Sequence, residues 1–179
     1  AFYRAGGLAN VSPILDADLM LFNGAAKSGR LEKMSGIAAE VYRRYSLTNN
    51  DMLFVISASG KNAVPIEMAE IAKANGVFTV AIASSSYQAK GARLLEITDV
   101  GIDCKVPYGD AVLSVGNERM GGLSTYASMF ILNSALIEGA RLAQSQGAEI
   151  PVYRSGNVEG GQQYNIRLEE RFFSRIKNL

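Results

Sequence analysis

Two rhythms of apolar residues run along the chain. Met52–Ile56 is an unbroken apolar run and Val77–Ala83 a second one interrupted only by Thr79, the pattern of strands buried on both faces of a parallel sheet. Elsewhere the apolar positions recur every three or four residues. Leu31, Met34, Ile37, Ala38, Val41 and Tyr45 predict a helix over Arg30–Tyr45. Ile66, Ala69, Ile71 and Ala72 predict one over Ala63–Asn75, closed by Asn75-Gly76. A short helix is expected over Tyr87–Glu96 and a long one over Leu123–Gln146 after a Gly-rich approach. In a terminal helix, Gln162–Ile176, the residues Tyr164, Leu168, Phe172 and Ile176 lie four apart. Weaker strand signals fall at Asp18–Phe22, at Val100–Cys104 (diluted by Gly101) and at Ala111–Val115. Gly24–Gly29 and Pro151–Gly161 read as loops. The opening Ala1–Gly7 looks like the last turn of a helix with a Gly6-Gly7 stop, so further residues are expected upstream.

Strands alternating with helices predict an α/β fold, a parallel sheet covered by helices on both faces, with ligands at the carboxyl ends of the strands. At 179 residues the chain suits one domain, 1–179, in which 151–179 form a loop and a docking helix. The long helix is apolar on more than one side, through Tyr126, Ala127, Met129, Phe130, Ile131, Leu132, Leu136 and Ile137. One side can cover the sheet and the other needs a partner, which predicts a homodimer or higher homo-oligomer; the alternative is cover by the terminal helix.

Composition narrows the chemistry. The apolar share of 48% and charged share of 20% fit a globular protein, and a net charge of +1 gives no field for nucleic acid or a membrane surface. Leu123–Ile137 is apolar but is interrupted by Ser124, Thr125, Ser128, Asn133 and Ser134, as in a buried helix and not a membrane span. Cys104 is the only cysteine, which suits a reducing, cytoplasmic setting. Histidine is absent, so the commonest general base is missing. With a single cysteine besides, the residues argue against a zinc site, and no metal or cofactor is expected.

The most chemically pointed segment is Val55–Pro65, where a buried strand runs into a small polar turn that opens a helix. Ser57 and Ser59 supply hydroxyls, Gly60 allows a tight turn and close approach, Asn62 suits an N-cap, and Pro65 is tolerated in the first helical turn. Free N–H groups and the helix dipole then favour an anion, to which Lys61 can add charge. The bland alternative is a turn and nothing more. Neither the P-loop spacing nor Gly-x-Gly-x-x-Gly is present.

At this turn the chain resembles the sugar isomerase (SIS) domain family, whose phosphosugar turn reads Ser-x-Ser-Gly-x-(Ser/Thr); here it stands as Ser57-Ala58-Ser59-Gly60-Lys61-Asn62, with Asn62 in place of the usual hydroxyl. The resemblance continues through Ala69–Ser84. It extends to an uncharacterised bacterial subfamily through Arg4–Leu8, Pro107–Ala111, Leu123–Thr125 and Ser155–Gly161. It implies a flavodoxin-like three-layer sandwich with a five-stranded parallel sheet, a sugar phosphate ligand and an assembly of two or more chains. It also implies a first strand and a Gly/Ser loop ahead of the first helix, which are expected to lie upstream of Ala1.

Other candidates come with plainer alternatives. Glu118 is a candidate general base, or else a solvated loop residue paired with Arg119. Glu32 is a second acid near a helix start. Ser84, in the loop Ser84–Ser86 after a strand's carboxyl end, and Ser124 and Thr125 at a helix start are candidate sugar contacts; Asp110 reads as a turn former. Together these lead to a phosphosugar-binding protein, an aldose–ketose isomerase or related lyase in one reading and a non-catalytic sensor in the other. A flavodoxin-like nucleotide-binding domain is a third possibility, disfavoured by the missing fingerprints.

Overall fold

A computed structural model describes all of residues 1–179. The chain divides into two compact units, one of Leu15–Leu132 and one of Ala1–Ile14 with Asn133–Leu179.

The first unit is α/β. Strands β1 (Met52–Ile56), β2 (Phe78–Ala83) and β3 (Val100–Asp103) form a parallel sheet in that order, with Val55 opposite Ala81 and Ala81 opposite Gly101. Helix α3 (Ala63–Ala74) connects β1 to β2, and the short α4 (Leu94–Ile97) lies between β2 and β3. The strand order advances in one direction, so right-handed crossovers place both helices on the same face. The packing agrees. Helices α3 and α4 touch each other, and a Cβ on Gly101 would stand 2.5 Å from the Leu95 carbonyl oxygen of α4. Beneath them Leu53, Val55, Thr79, Ala81 and Ala83 are buried. The opposite face keeps Val80 and Ile82 buried, but Met52, Ile56, Phe78 and Val100 remain exposed. Helices α3 and α4 thus share one face, and the opposite face is buried at Val80 and Ile82 but not at its rim.

Several local expectations are corrected. The single helix over Arg30–Tyr45 is two, α1 (Ala25–Leu31) and α2 (Ile37–Tyr42), parted at Gly36, whose φ of 91° no helix accommodates. Helix α1 takes up most of the expected loop Gly24–Gly29; the Ser28 hydroxyl donates to the Leu19 carbonyl at 2.8 Å. The expected strand Asp18–Phe22 is a turn leading into a 3-10 helix at Leu21–Asn23. Ala1–Gly7 forms bends and turns, not a helical turn, with Tyr3 at φ 42°. Ala111–Val115 is a strand, β4, but it pairs antiparallel with β5 (Glu118–Gly122) in a hairpin of its own. The parallel sheet thus holds three strands, not five.

In the second unit, residues 6–9 and 151–153 make a short antiparallel ladder: Gly6 N–H donates to the Tyr153 carbonyl, and Tyr153 N–H to the Gly7 carbonyl, each at 2.8 Å. Helix α6 (Gly161–Phe172) brings Leu168 into a small core with Ala9 and Tyr153, flanked by Tyr164, Phe172 and Leu179. The long helix α5 (Ser124–Ser145) begins in the first unit and ends in the second. No helix is long and apolar enough to cross a membrane.

Candidate functional site

The turn between β1 and α3 is fixed from behind by backbone bonds. Ser57 N–H donates to the Ile82 carbonyl at 3.0 Å, and Ser84 N–H donates to the Ala58 carbonyl at 3.0 Å. The Gly60 carbonyl accepts from both Arg93 and Leu94 N–H at 3.1 Å. Gly60 itself has φ 59°, and a Cβ there would meet Leu94 Cβ at 3.1 Å and Ala83 Cβ at 3.3 Å. Both the backbone conformation and the tight packing against Ala83 and Leu94 call for glycine.

Facing the other way, the turn keeps its donors. Gly60 N–H is taken by Ser57 Oγ at 3.3 Å, which leaves the Ser57 hydroxyl hydrogen free to donate. The Ser59 side chain, the Lys61 ammonium and the Ser59, Lys61 and Asn62 N–H groups have no partner within the chain. Asn62 holds the N-cap position of α3 with φ −71° and ψ 153°, yet its side chain makes no capping bond, so its amide also stays available. Lys61 is exposed, while Ser57, Ser59 and Asn62 are half-buried.

The other candidates fall in different places. Ser84 is 1% exposed; its hydroxyl donates to the Val106 carbonyl, lies 2.8 Å from Ser86 Oγ, and accepts from Ser86 N–H at 3.2 Å. These bonds close the end of the sheet and leave Ser84 no free group to offer a sugar. Next to it, burial works against ionisation of Asp103, but hydrogen bonds from Lys105 and Ser85 outweigh it and hold the carboxyl well below the usual range. Ser124 gives its N–H (2.7 Å) and hydroxyl (2.8 Å) to the Asp110 carboxylate, and Thr125 is exposed on α5. Asp110, at φ 66°, acts as a cap for α5 delivered from a preceding turn, a role beyond the local turn expected of it.

Glu118 lies on exposed β5 opposite Val115, and its carboxylate has no hydrogen bond or ion pair. Arg119 does not pair with it; the guanidinium bonds the Ala111 and Val112 carbonyls and Ser114 Oγ. The glutamate that backbone bonding ties to the turn is Glu32, just past the end of α1: its carbonyl accepts from Val64 N–H, in the first turn of α3, at 3.0 Å. No spacing along the sequence signals this meeting, because it depends on the break at Gly36, whose N–H donates to Glu67 of α3 at 2.8 Å. Chemically, the turn can hold a multiply charged oxyanion by neutral donors and one cation.

The SIS domain family model matches residues 1–84. Relatives align over almost the whole chain. A UPF0309 protein of Geobacillus thermodenitrificans is 41% identical over 187 residues, covering 99% of this chain and 75% of the relative. One of Thermoanaerobacter pseudethanolicus is 38% identical over 189 residues, with coverage of 99% and 76%. One of Brucella anthropi is 38% identical over 183 residues, with coverage of 99% and 75%. The SIS match supports phosphosugar binding as the broad class of function. The chain belongs to the UPF0309 family, and its residues 1–84 match the SIS domain model.

Proposed function

We propose that this protein binds a sugar phosphate by its ester group at the turn Ser57–Asn62, with the hydroxyls of Ser57 and Ser59, the backbone around Gly60, the Lys61 ammonium and the Asn62 amide as donors. The observation that carries this reading is the set of unpartnered donors on a turn held in place by backbone bonds to Ile82, Ser84, Arg93 and Leu94. A pre-set array of this kind binds an anion without the cost of reorganising the backbone. Sugar phosphates screened by thermal shift test it, since a ligand that binds only the folded chain raises the melting temperature. Ser59→Ala should weaken binding of a responding ligand by about 1.5–3 kcal/mol, the worth of one hydrogen bond to a charged group. Unchanged affinity in that variant would move the site elsewhere.

Isomerase or lyase chemistry at this site requires a base beside the sugar carbons. Glu32 is the better placed of the two candidate glutamates, because its backbone meets the first turn of α3. In an enzyme, Glu32→Gln would abolish turnover while leaving sugar phosphate binding within a factor of a few, and Glu118→Gln would change neither. Nuclear magnetic resonance of each sugar phosphate mixed with wild-type protein reads the conversion directly. The solvated position of Glu118 favours the second reading, a non-catalytic sensor, for which the same mixtures give ligand-induced stabilisation and no product. We further place the protein in the cytoplasm as a homodimer or larger homo-oligomer, on the strength of its single thiol and its exposed apolar helix face.

A further inference from the structure

We propose that Arg93 is a positioning residue that sets the direction of the anion-facing amides of the turn; this rests on the sugar phosphate reading above. In a trans peptide the carbonyl of one residue and the N–H of the next point in opposite directions, and the chain has no cis peptide bond. Fixing a carbonyl therefore aims the amide that follows it. Three alternate carbonyls of the turn are fixed. That of Ala58 is bonded by Ser84 N–H, that of Gly60 by Arg93 and Leu94 N–H, and that of Asn62 by Ile66 N–H at 3.4 Å. The N–H groups of Ser59, Lys61 and Ala63 consequently point away from the sheet end, from the start of α4 and from the body of α3, and none has a partner in the chain. Of the amides between and beyond them, Gly60 N–H is taken by Ser57 Oγ and Val64 N–H by the Glu32 carbonyl, while Asn62 N–H has no partner in the chain. Pro65 has none to give.

Arg93 completes the clamp. Its backbone bonds Gly60, while its guanidinium pairs with the Glu70 carboxylate of α3, the helix that the turn opens. The residue thus ties the front of α4 to the turn at Gly60 and to the helix that follows it at Glu70. The pair is half-exposed, so its loss costs the fold little, and a change in affinity larger than the change in stability is the mark of positioning.

Amide spectra of the whole chain titrated with inorganic phosphate and with glucose 6-phosphate test this for wild type, Arg93→Ala and Arg93→Lys. The Ser59, Lys61 and Ala63 resonances should move most and those of Gly60 and Val64 least. Arg93→Ala should weaken phosphate about two- to fivefold, with the ligand-free melting temperature nearly unchanged, and Arg93→Lys should recover part of the loss. Equal movement of Gly60 and Val64, or a lowered melting temperature with unchanged affinity, would overturn the proposal. If no phosphate moves any turn amide, the functional reading fails, and hydrogen exchange of the ligand-free chain decides the clamp. Faster exchange at Ser84 and Leu94 in Arg93→Ala keeps it; unchanged exchange there removes it.

Discussion

At the scale of single residues, Gly60 has little freedom to change. An alanine there would have to hold a left-handed conformation and push its Cβ into Leu94 and Ala83. We expect Gly60→Ala to cost about 1–3 kcal/mol in urea unfolding and to weaken phosphate binding as well, since the carbonyl that receives Arg93 and Leu94 would shift. Asp99 is a second sensitive residue. Hydrogen bonds from the backbone and hydroxyl of Thr79, followed by Lys73, lower its pKa to about 2. A carboxyl depressed on folding contributes stability above its unfolded pKa, near 4, and loses it as the pH falls through the folded value. Thermal melts of wild type should therefore show destabilisation between about pH 4 and pH 2 that is reduced in Asp99→Asn. Much at this scale was legible from sequence. Ser57, Ser59, Gly60 and the N-cap position of Asn62 follow from a strand, a polar turn and a helix in succession. The engagement of Ser84 was not legible, because its acceptor, the Val106 carbonyl, is supplied by a segment 22 residues away.

At the scale of elements, periodicity located β1, β2, β3, α3 and α5 closely and failed where a local conformation overrode it. The spacing of Leu31, Met34, Ile37 and Val41 fits one helix, yet Gly36 breaks it, and the break carries Glu32 to the head of α3. The mostly apolar run Ala111–Val115 fits a strand but says nothing of its neighbour; β4 finds β5 across a tight turn instead of joining the parallel sheet. The hairpin is held to α5 by Asp110. Burial disfavours its charge, but the Ser124 hydroxyl and N–H together with Leu123 N–H lower its pKa all the same. We expect Asp110→Ala to cost about 0.5–2 kcal/mol and to speed hydrogen exchange at Ser124, with Asp110→Asn in between.

At the scale of the whole molecule, each unit has its own account. In the first unit the crossovers all turn the same way and put α3 and α4 on one side of the three-stranded sheet, while the other side is covered only in part, at Val80 and Ile82. That other side shows Met52, Ile56, Phe78 and Val100, and the early turns of α5 show Tyr126 and Phe130 at 75% and 74% exposure. So much apolar area in view of water favours association. We expect sedimentation to report a dimer or larger species, and Phe130→Glu to shift it towards monomer without lowering the melting temperature. A wild-type monomer at all concentrations would remove the oligomer from the proposal.

The bond between Asp110 and the start of α5 has an electrical consequence for ligand selection. The starts of α3 and α5, both in the first unit, carry amides that attract negative charge. One of them, α5, already carries a carboxylate from its own chain. On the reading proposed above, an arriving phosphate is therefore repelled at the start of α5 and directed to the start of α3.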